Sequence, residues 1–199
     1  MFLPVMDGFA KYLSDDLPIL QITWARYFFT VVFTLPIMIF FFKKQLVWSD
    51  KPKLQILRGL ILLSANICFF YAISIISLAK ALTLAFVAPL IVTACSPILL
   101  GEKVGFRRWT AVAVGFIGSL VVIRPGFVEL NFASLAALGT GVFYGFYLII
   151  TRKFSTSDNP LLTLLITGMV GAILVSAIIP FYWVKPSLNQ WSLMAGIGV

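Results

Sequence analysis

The stretch from Leu78 to Gly105, LAKALTLAFVAPLIVTACSPILLGEKVG, sets the terms for the whole chain. About 23 of its residues are almost wholly apolar, enough at 1.5 Å per residue to cross a bilayer core of roughly 30 Å. Lys80 sits near one end. Pro89 stands near the middle, where it removes a backbone donor and favours a kink. The turn Gly101-Glu102-Lys103-Val104-Gly105 comes directly after and leads to Arg107 and Arg108. A polar-tipped, proline-broken helix, closed by a basic turn and succeeded by another apolar helix, is a hairpin of a protein that crosses a membrane many times.

Composition agrees. Of 199 residues, 61% are hydrophobic and 11% charged, with mean hydropathy +1.04, whereas a soluble domain carries about 25% charged residues. A net charge of +8 invites a polyanionic partner. Placement argues otherwise, because most lysines and arginines fall in short loops between apolar runs, as the positive-inside rule requires. No nucleic-acid partner is expected. The chain has no histidine, hence no imidazole base or histidine ligand. Cys68 and Cys95 lie inside apolar runs and are expected to be buried, unpaired thiols. The seven acidic residues are scattered, with only Asp15 and Asp16 adjacent, and neither a glycine-rich phosphate loop nor a serine elbow occurs. The expectation is therefore no enzyme, no cofactor and no metal.

Taken in order, residues 1–13 read as the end of a first helix, too short to span. Asp7 and Lys11 are four apart, share a helical face and can pair. Ser14 to Pro18 is a polar turn, and Leu17 to Phe42 is the first complete span, with Gln21, Arg26 and Pro36 inside it. An arginine at that depth either snorkels or faces a protein-lined cavity, where it would contact a solute or pair with Asp7. Lys43 to Lys53 is a basic loop. Leu54 to Ser77 spans next, with Arg58 in its first turn; Asn66 at mid-span is inter-helix glue or a cavity group. A short turn near Ser77 makes this span and Leu78–Leu100 antiparallel neighbours. Arg107 to Ile123, Phe132 to Thr151 and Pro160 to Val184 complete six spans. Gly141 and Gly145 form a GxxxG pattern that permits close helix approach. Lys185 to Gln190 reads as a turn, and Trp191 to Val199 as the start of a last, partial helix.

Loop charges orient these spans. One side collects Lys43, Lys44, Lys51, Lys53, Arg58, Lys103, Arg107, Arg108, Arg152 and Lys153; the other holds Arg124, Lys185 and Lys80, with Asp15 and Asp16. The basic side is expected to be cytoplasmic. A faint repeat also shows. Gly8-Phe9, Pro18 and Pro36 recur as Gly145-Phe146, Pro160 and Pro180. A first unit over residues 1–124 would hold five helices, an odd number, so a second over 132–199 would enter from the opposite face. Inverted repeats of this kind are frequent in secondary transporters, with a site near the midplane between halves.

Five short stretches carry a resemblance: Asp7-Gly-Phe-Ala-Lys11, Ala25-Arg26-Tyr27, Phe70-Tyr71-Ala72, Ala79 to Pro89, and Pro97-Ile-Leu-Leu-Gly-Glu-Lys103 with Trp109 after it. The chain resembles the EamA family of the drug/metabolite transporter superfamily over essentially its whole length. The resemblance implies an all-α polytopic bundle built from inverted five-helix repeats, embedded in the inner membrane. It implies a carrier that moves a nucleoside-like, vitamin-like or amino-acid-like solute by alternating access, and it leaves room for a homodimer. The Asp-x-x-x-Lys and Ala-Arg-Tyr elements are similar to those of proteobacterial S-adenosylmethionine or riboflavin importers. Against the family pattern the chain lacks most of helix 1 and everything after the start of helix 8, so a non-transporting fragment or an assembly subunit is the rival expectation. Within this resemblance, Arg26, Asn66, Tyr71, Lys80 and Tyr144 are the cavity-lining candidates. Asp7 and Lys11 are the coupling or salt-bridge candidates, and Pro89 is the gating kink.

Overall fold

A computed structural model describes residues 3–41, 52–101, 103–123, 131–154 and 160–198. Lys43, Lys44, Lys51, Glu102 and Arg124, which bear on the orientation and turn readings, lie outside the described residues. The described residues form α1 (Leu3–Leu13), α2 (Ile19–Phe41), α3 (Pro52–Ile75), α4 (Leu78–Ala85), α5 (Val87–Leu100), α6 (Phe106–Ile123), α7 (Phe132–Phe154), α8 (Pro160–Ile178) and α9 (Leu188–Ile197), with a 3-10 turn over Ile179–Phe181. By length and composition five segments can cross a membrane: Ile19–Phe41, Pro52–Ile75, Leu78–Leu100, Phe132–Lys153 and Pro160–Phe181. The further expected span, Arg107–Ile123, is helical as α6.

Local chemistry explains most boundaries. Ser77 caps α4 by accepting from the Lys80 backbone N–H at 3.4 Å, which gives the short turn expected there. Gly101 ends α5 in the left-handed region at φ 68°, where a side chain would be strained. Asn131 Oδ1 accepts from the Ser134 N–H at 2.9 Å and starts α7. Two boundaries differ from the sequence reading. The span expected to reach Val184 leaves α-helix at Ile178, because Pro180 disfavours α geometry at Ile179 and offers no N–H to the carbonyl of Ser176. The last helix begins at Leu188, inside the expected turn. Ser187 and Gln190 form a capping box there: the Ser187 N–H donates to Gln190 Oε1 at 2.8 Å, and the Gln190 N–H donates to Ser187 Oγ at 3.3 Å.

The chain divides into two compact units, residues 1–63 with 155–199, and residues 64–154. In the first, α2 packs on α8 and α9, and α1 on α9. Its apolar centre is Met38 with Leu162 and Leu165. Close approach depends on small residues. A Cβ at Gly171 would stand 2.4 Å from the ring of Tyr27, and one at Gly59 would stand 2.9 Å from Val170.

In the second unit α7 lies across α4 and α5. The GxxxG residues make this possible. A Cβ at Gly141 would fall 2.7 Å from the carbonyl oxygen of Ala85, and one at Gly145 would fall 2.9 Å from Ile91. The Leu78–Leu100 stretch is divided at Phe86, three residues before Pro89. Proline has no N–H for the carbonyl four residues back, and its ring crowds that carbonyl. That carbonyl belongs to Ala85, and it is the group Gly141 faces. The break and the glycine are thus complementary: the proline displaces a carbonyl, and the neighbouring helix leaves space for it.

Candidate functional site

The expected site residues fall into both units. In the first, Asp7 and Lys11 occupy one face of α1, half-buried, and Arg26 is half-buried on α2. Arg26 is the charge whose field acts on the Asp7 carboxylate. Neighbouring residues seat α2: Ala25 is fully buried, and the buried Tyr27 ring covers Gly171.

In the second unit Asn66 is buried on α3, while Tyr71 on the same helix is exposed. Lys80 is half-buried in the first turn of α4. Tyr144 is exposed on α7 and stacks on Tyr147, with ring centroids 5.7 Å apart and planes 24° from parallel. Pro89 borders a cavity of about 360 Å³ between the α4–α5 break and α6, with Phe86, Gly115 and Phe116 among the lining. Because α7 packs on both α4 and α5, Lys80, Pro89 and Tyr144 lie on mutually packed helices. Among the described residues no three His, Cys, Asp or Glu side chains cluster as metal ligands would.

Two polar constellations were not assigned from sequence. Arg58, counted there as part of the basic side, is 1% exposed. Its guanidinium donates to the Thr163 carbonyl and to Thr167 Oγ1 on α8. Thr167 Oγ1 in turn donates to the Thr163 carbonyl at 2.7 Å, and the fully buried Gln55 reaches Thr163 Oγ1 at 3.5 Å. The available signal was spacing. Gln55 and Arg58 are three apart and Thr163 and Thr167 four apart, so each pair shares a helical face inside an apolar run.

The second constellation is an amide clamp. Gln21, 0% exposed, donates from Nε2 to the Val184 carbonyl at 2.8 Å and accepts from the Val184 N–H at 3.1 Å. Trp24 Nε1 donates to Ser176 Oγ at 2.8 Å, and its ring meets Trp183 edge-on at 5.4 Å. Gln190 Nε2 donates to Asp16 at 3.1 Å. The Gln21 bonds tie the segment after α8 to the start of α2, the Trp24 bond reaches α8, and the Gln190 bond joins α9 to the turn before α2. Replacing Gln21 by leucine removes both of its hydrogen bonds to the Val184 backbone and is expected to destabilise the segment by about 2 kcal/mol. Amide hydrogen exchange at Val184 should accelerate accordingly; an unchanged rate would refute the clamp.

Known proteins share this architecture. The EamA-like transporter family profile matches residues 5–124. The chain is 27% identical over 194 residues to the S-adenosylmethionine uptake transporter of Rickettsia prowazekii (strain Madrid E), covering 98% of this chain and 66% of that protein. It is 24% identical over 199 residues to the riboflavin transporter of Vibrio cholerae serotype O1, covering 98% and 67%. It is 28% identical over 202 residues to the pseudopaline exporter CntI of Pseudomonas aeruginosa, covering 98% and 69%. The chain thus spans about two-thirds of the length of these relatives. A solved crystal structure superposes with a TM-score of 0.72 at 17% identity, over 98% of this chain and 72% of that one. With apolar spans, a divided third span, a GxxxG contact and a family match over more than half its length, the chain belongs to the EamA-like transporter family.

Proposed function

We propose that the protein is a secondary carrier in the cell inner membrane that moves a small organic metabolite by alternating access. The carrying observation is similarity over 98% of the chain to three carriers with different named solutes. Shared architecture with changed substrate is what a common transport scaffold predicts. In this reading residues 1–124 and 132–199 belong to two inverted repeats, and the basic loops face the cytoplasm. Arg26, Asn66, Tyr71, Lys80 and Tyr144 line the solute path. Asp7, under the field of Arg26, is a coupling or pairing group together with Lys11, and the Pro89 break supplies the flexible point for gating. The preferred solutes are nucleoside-like or vitamin-like, in keeping with the named relatives.

The test is counterflow in proteoliposomes with labelled S-adenosylmethionine and labelled riboflavin. Saturable exchange of either supports a carrier. Flux linear in concentration would indicate a channel, and absence of flux with a co-purifying partner would indicate an assembly subunit. Orientation is tested by cysteine labelling in a background where Cys68 and Cys95 are alanine. Lys153→Cys should react with an impermeant maleimide only after the membrane is permeabilised. For an exchanged solute with an anionic group, Lys80→Met is expected to raise KM about tenfold through loss of one charged hydrogen bond. A neutral solute should be unaffected. Unchanged KM for the anionic solute removes Lys80 from the path.

A further inference from the structure

We infer that the face between α3 and α8 is a seat for one anionic phospholipid, held by its acyl chain and by Lys53. The inference rests on the proposed orientation for its leaflet, and on the structure for its shape. A groove of about 200 Å³ is lined by Pro52, Gln55 and Ile56 of α3 and by Ile166, Met169 and Ile173 of α8. It starts at the first residue of α3. Ile173 lies thirteen residues beyond Pro160, about 20 Å along α8. The groove therefore runs from the membrane surface to roughly mid-bilayer, the depth an acyl chain of one leaflet occupies.

The lining selects the occupant. Among the described residues that line it, Gln55 is the polar one; it is fully buried and turns its Nε2 to Thr163. A polar solute would find little beyond the one amide of Gln55 to replace its lost hydration, whereas an acyl chain has no hydrogen bonds to lose. Ile56, Met169 and Ile173 are 44%, 43% and 64% exposed, so the groove is open along its side to the hydrocarbon around it. Lys53 is exposed and follows Pro52 in the first turn of α3, at the helix end where the groove begins. A lysine at the surface end of a membrane helix favours an anionic headgroup by about 1 kcal/mol.

The experiment uses the whole chain, reconstituted in vesicles of equal phosphatidylglycerol and phosphatidylcholine and extracted in mild detergent. Retained lipid is counted by mass spectrometry of the intact protein. The wild-type protein should keep one phosphatidylglycerol with at least about fivefold preference over phosphatidylcholine. Lys53→Glu should lower that preference about fivefold or more, and Lys53→Arg should preserve it. Met169→Trp, which fills the groove at its open rim, should release the lipid while helicity and elution volume stay those of the wild type. Equal retention of the two lipids, a preference that survives Lys53→Glu, or full retention in a folded Met169→Trp protein would each overturn the seat. The maleimide result for Lys153→Cys is separate. Labelling from outside would overturn the orientation and move the seat to the other leaflet, whatever the lipid counts are.

Discussion

Gly141→Leu is expected to detach α7 from the α4–α5 break and to destabilise the protein by about 3 kcal/mol or more. The Cβ alone would stand 2.3 Å from a methyl carbon of Val87 and 2.7 Å from the Ala85 carbonyl oxygen. The methyl can rotate away, but the carbonyl is backbone and cannot, so the two helices must separate. Overpacking a tight contact typically costs about 1–3 kcal/mol, and this one sits at its upper end. Gly139→Ala is the control on the same helix, because its Cβ would meet only Cys68 Sγ at 3.7 Å, an ordinary contact. Unfolding of the purified protein by SDS, monitored by circular dichroism, should show a lower midpoint for Gly141→Leu and a wild-type midpoint for Gly139→Ala. Coincident midpoints for all three proteins would refute the close approach.

The second large effect concerns Arg58, and its sign is counterintuitive. Thr167→Val removes a hydroxyl, and Arg58→Met removes a whole charge, yet the smaller change should cost more. Thr167→Val leaves the guanidinium buried with one acceptor fewer. A hydrogen bond to a charged group contributes about 1.5–3 kcal/mol, and a buried charge that loses a partner pays its desolvation as well. Arg58→Met removes the charge together with its desolvation cost and fills similar volume with an apolar chain. The cost is then about 1 kcal/mol, from the Thr163 carbonyl that loses a donor but still accepts from Thr167 Oγ1. The double variant should be more stable than Thr167→Val alone. The same SDS titration decides the order, and a double variant less stable than both singles would refute the pairing.

These two sites mark where local sequence is informative and where it stops. Gly141 and Gly145 were legible as a surface that permits close approach, because small residues four apart share one helical face, although the pattern is common in membrane helices. Their partner was not, since it is formed by a break elsewhere in the chain. Pro89 announced that break, but its placement at Phe86 depends on which carbonyl the proline ring crowds. Arg58 reads from sequence only as a charge at the basic end of a span, which says nothing of its partners. Its burial depends on α8, more than a hundred residues later. The capping box at Ser187 and Gln190 was readable from local spacing, yet it fell inside a stretch whose polarity reads as a turn.

The sequence alone determined the class of the protein. Apolar run length, polar punctuation and the side on which lysine and arginine accumulate are local quantities, and each answers to the bilayer rather than to a neighbouring helix. Helix existence, the turn at Ser77, the glycine end of α5 and the family resemblance all derive from residues close together in the chain. Only the tertiary structure decided the pairings: Arg58 with Thr163 and Thr167, Gln21 with the backbone of Val184, and Gly141 with the carbonyl of Ala85. In a helix that is apolar on every side, periodicity does not mark which face meets which neighbour. That choice is made by close packing and by the need to satisfy each buried polar group, and both become defined only when distant segments meet.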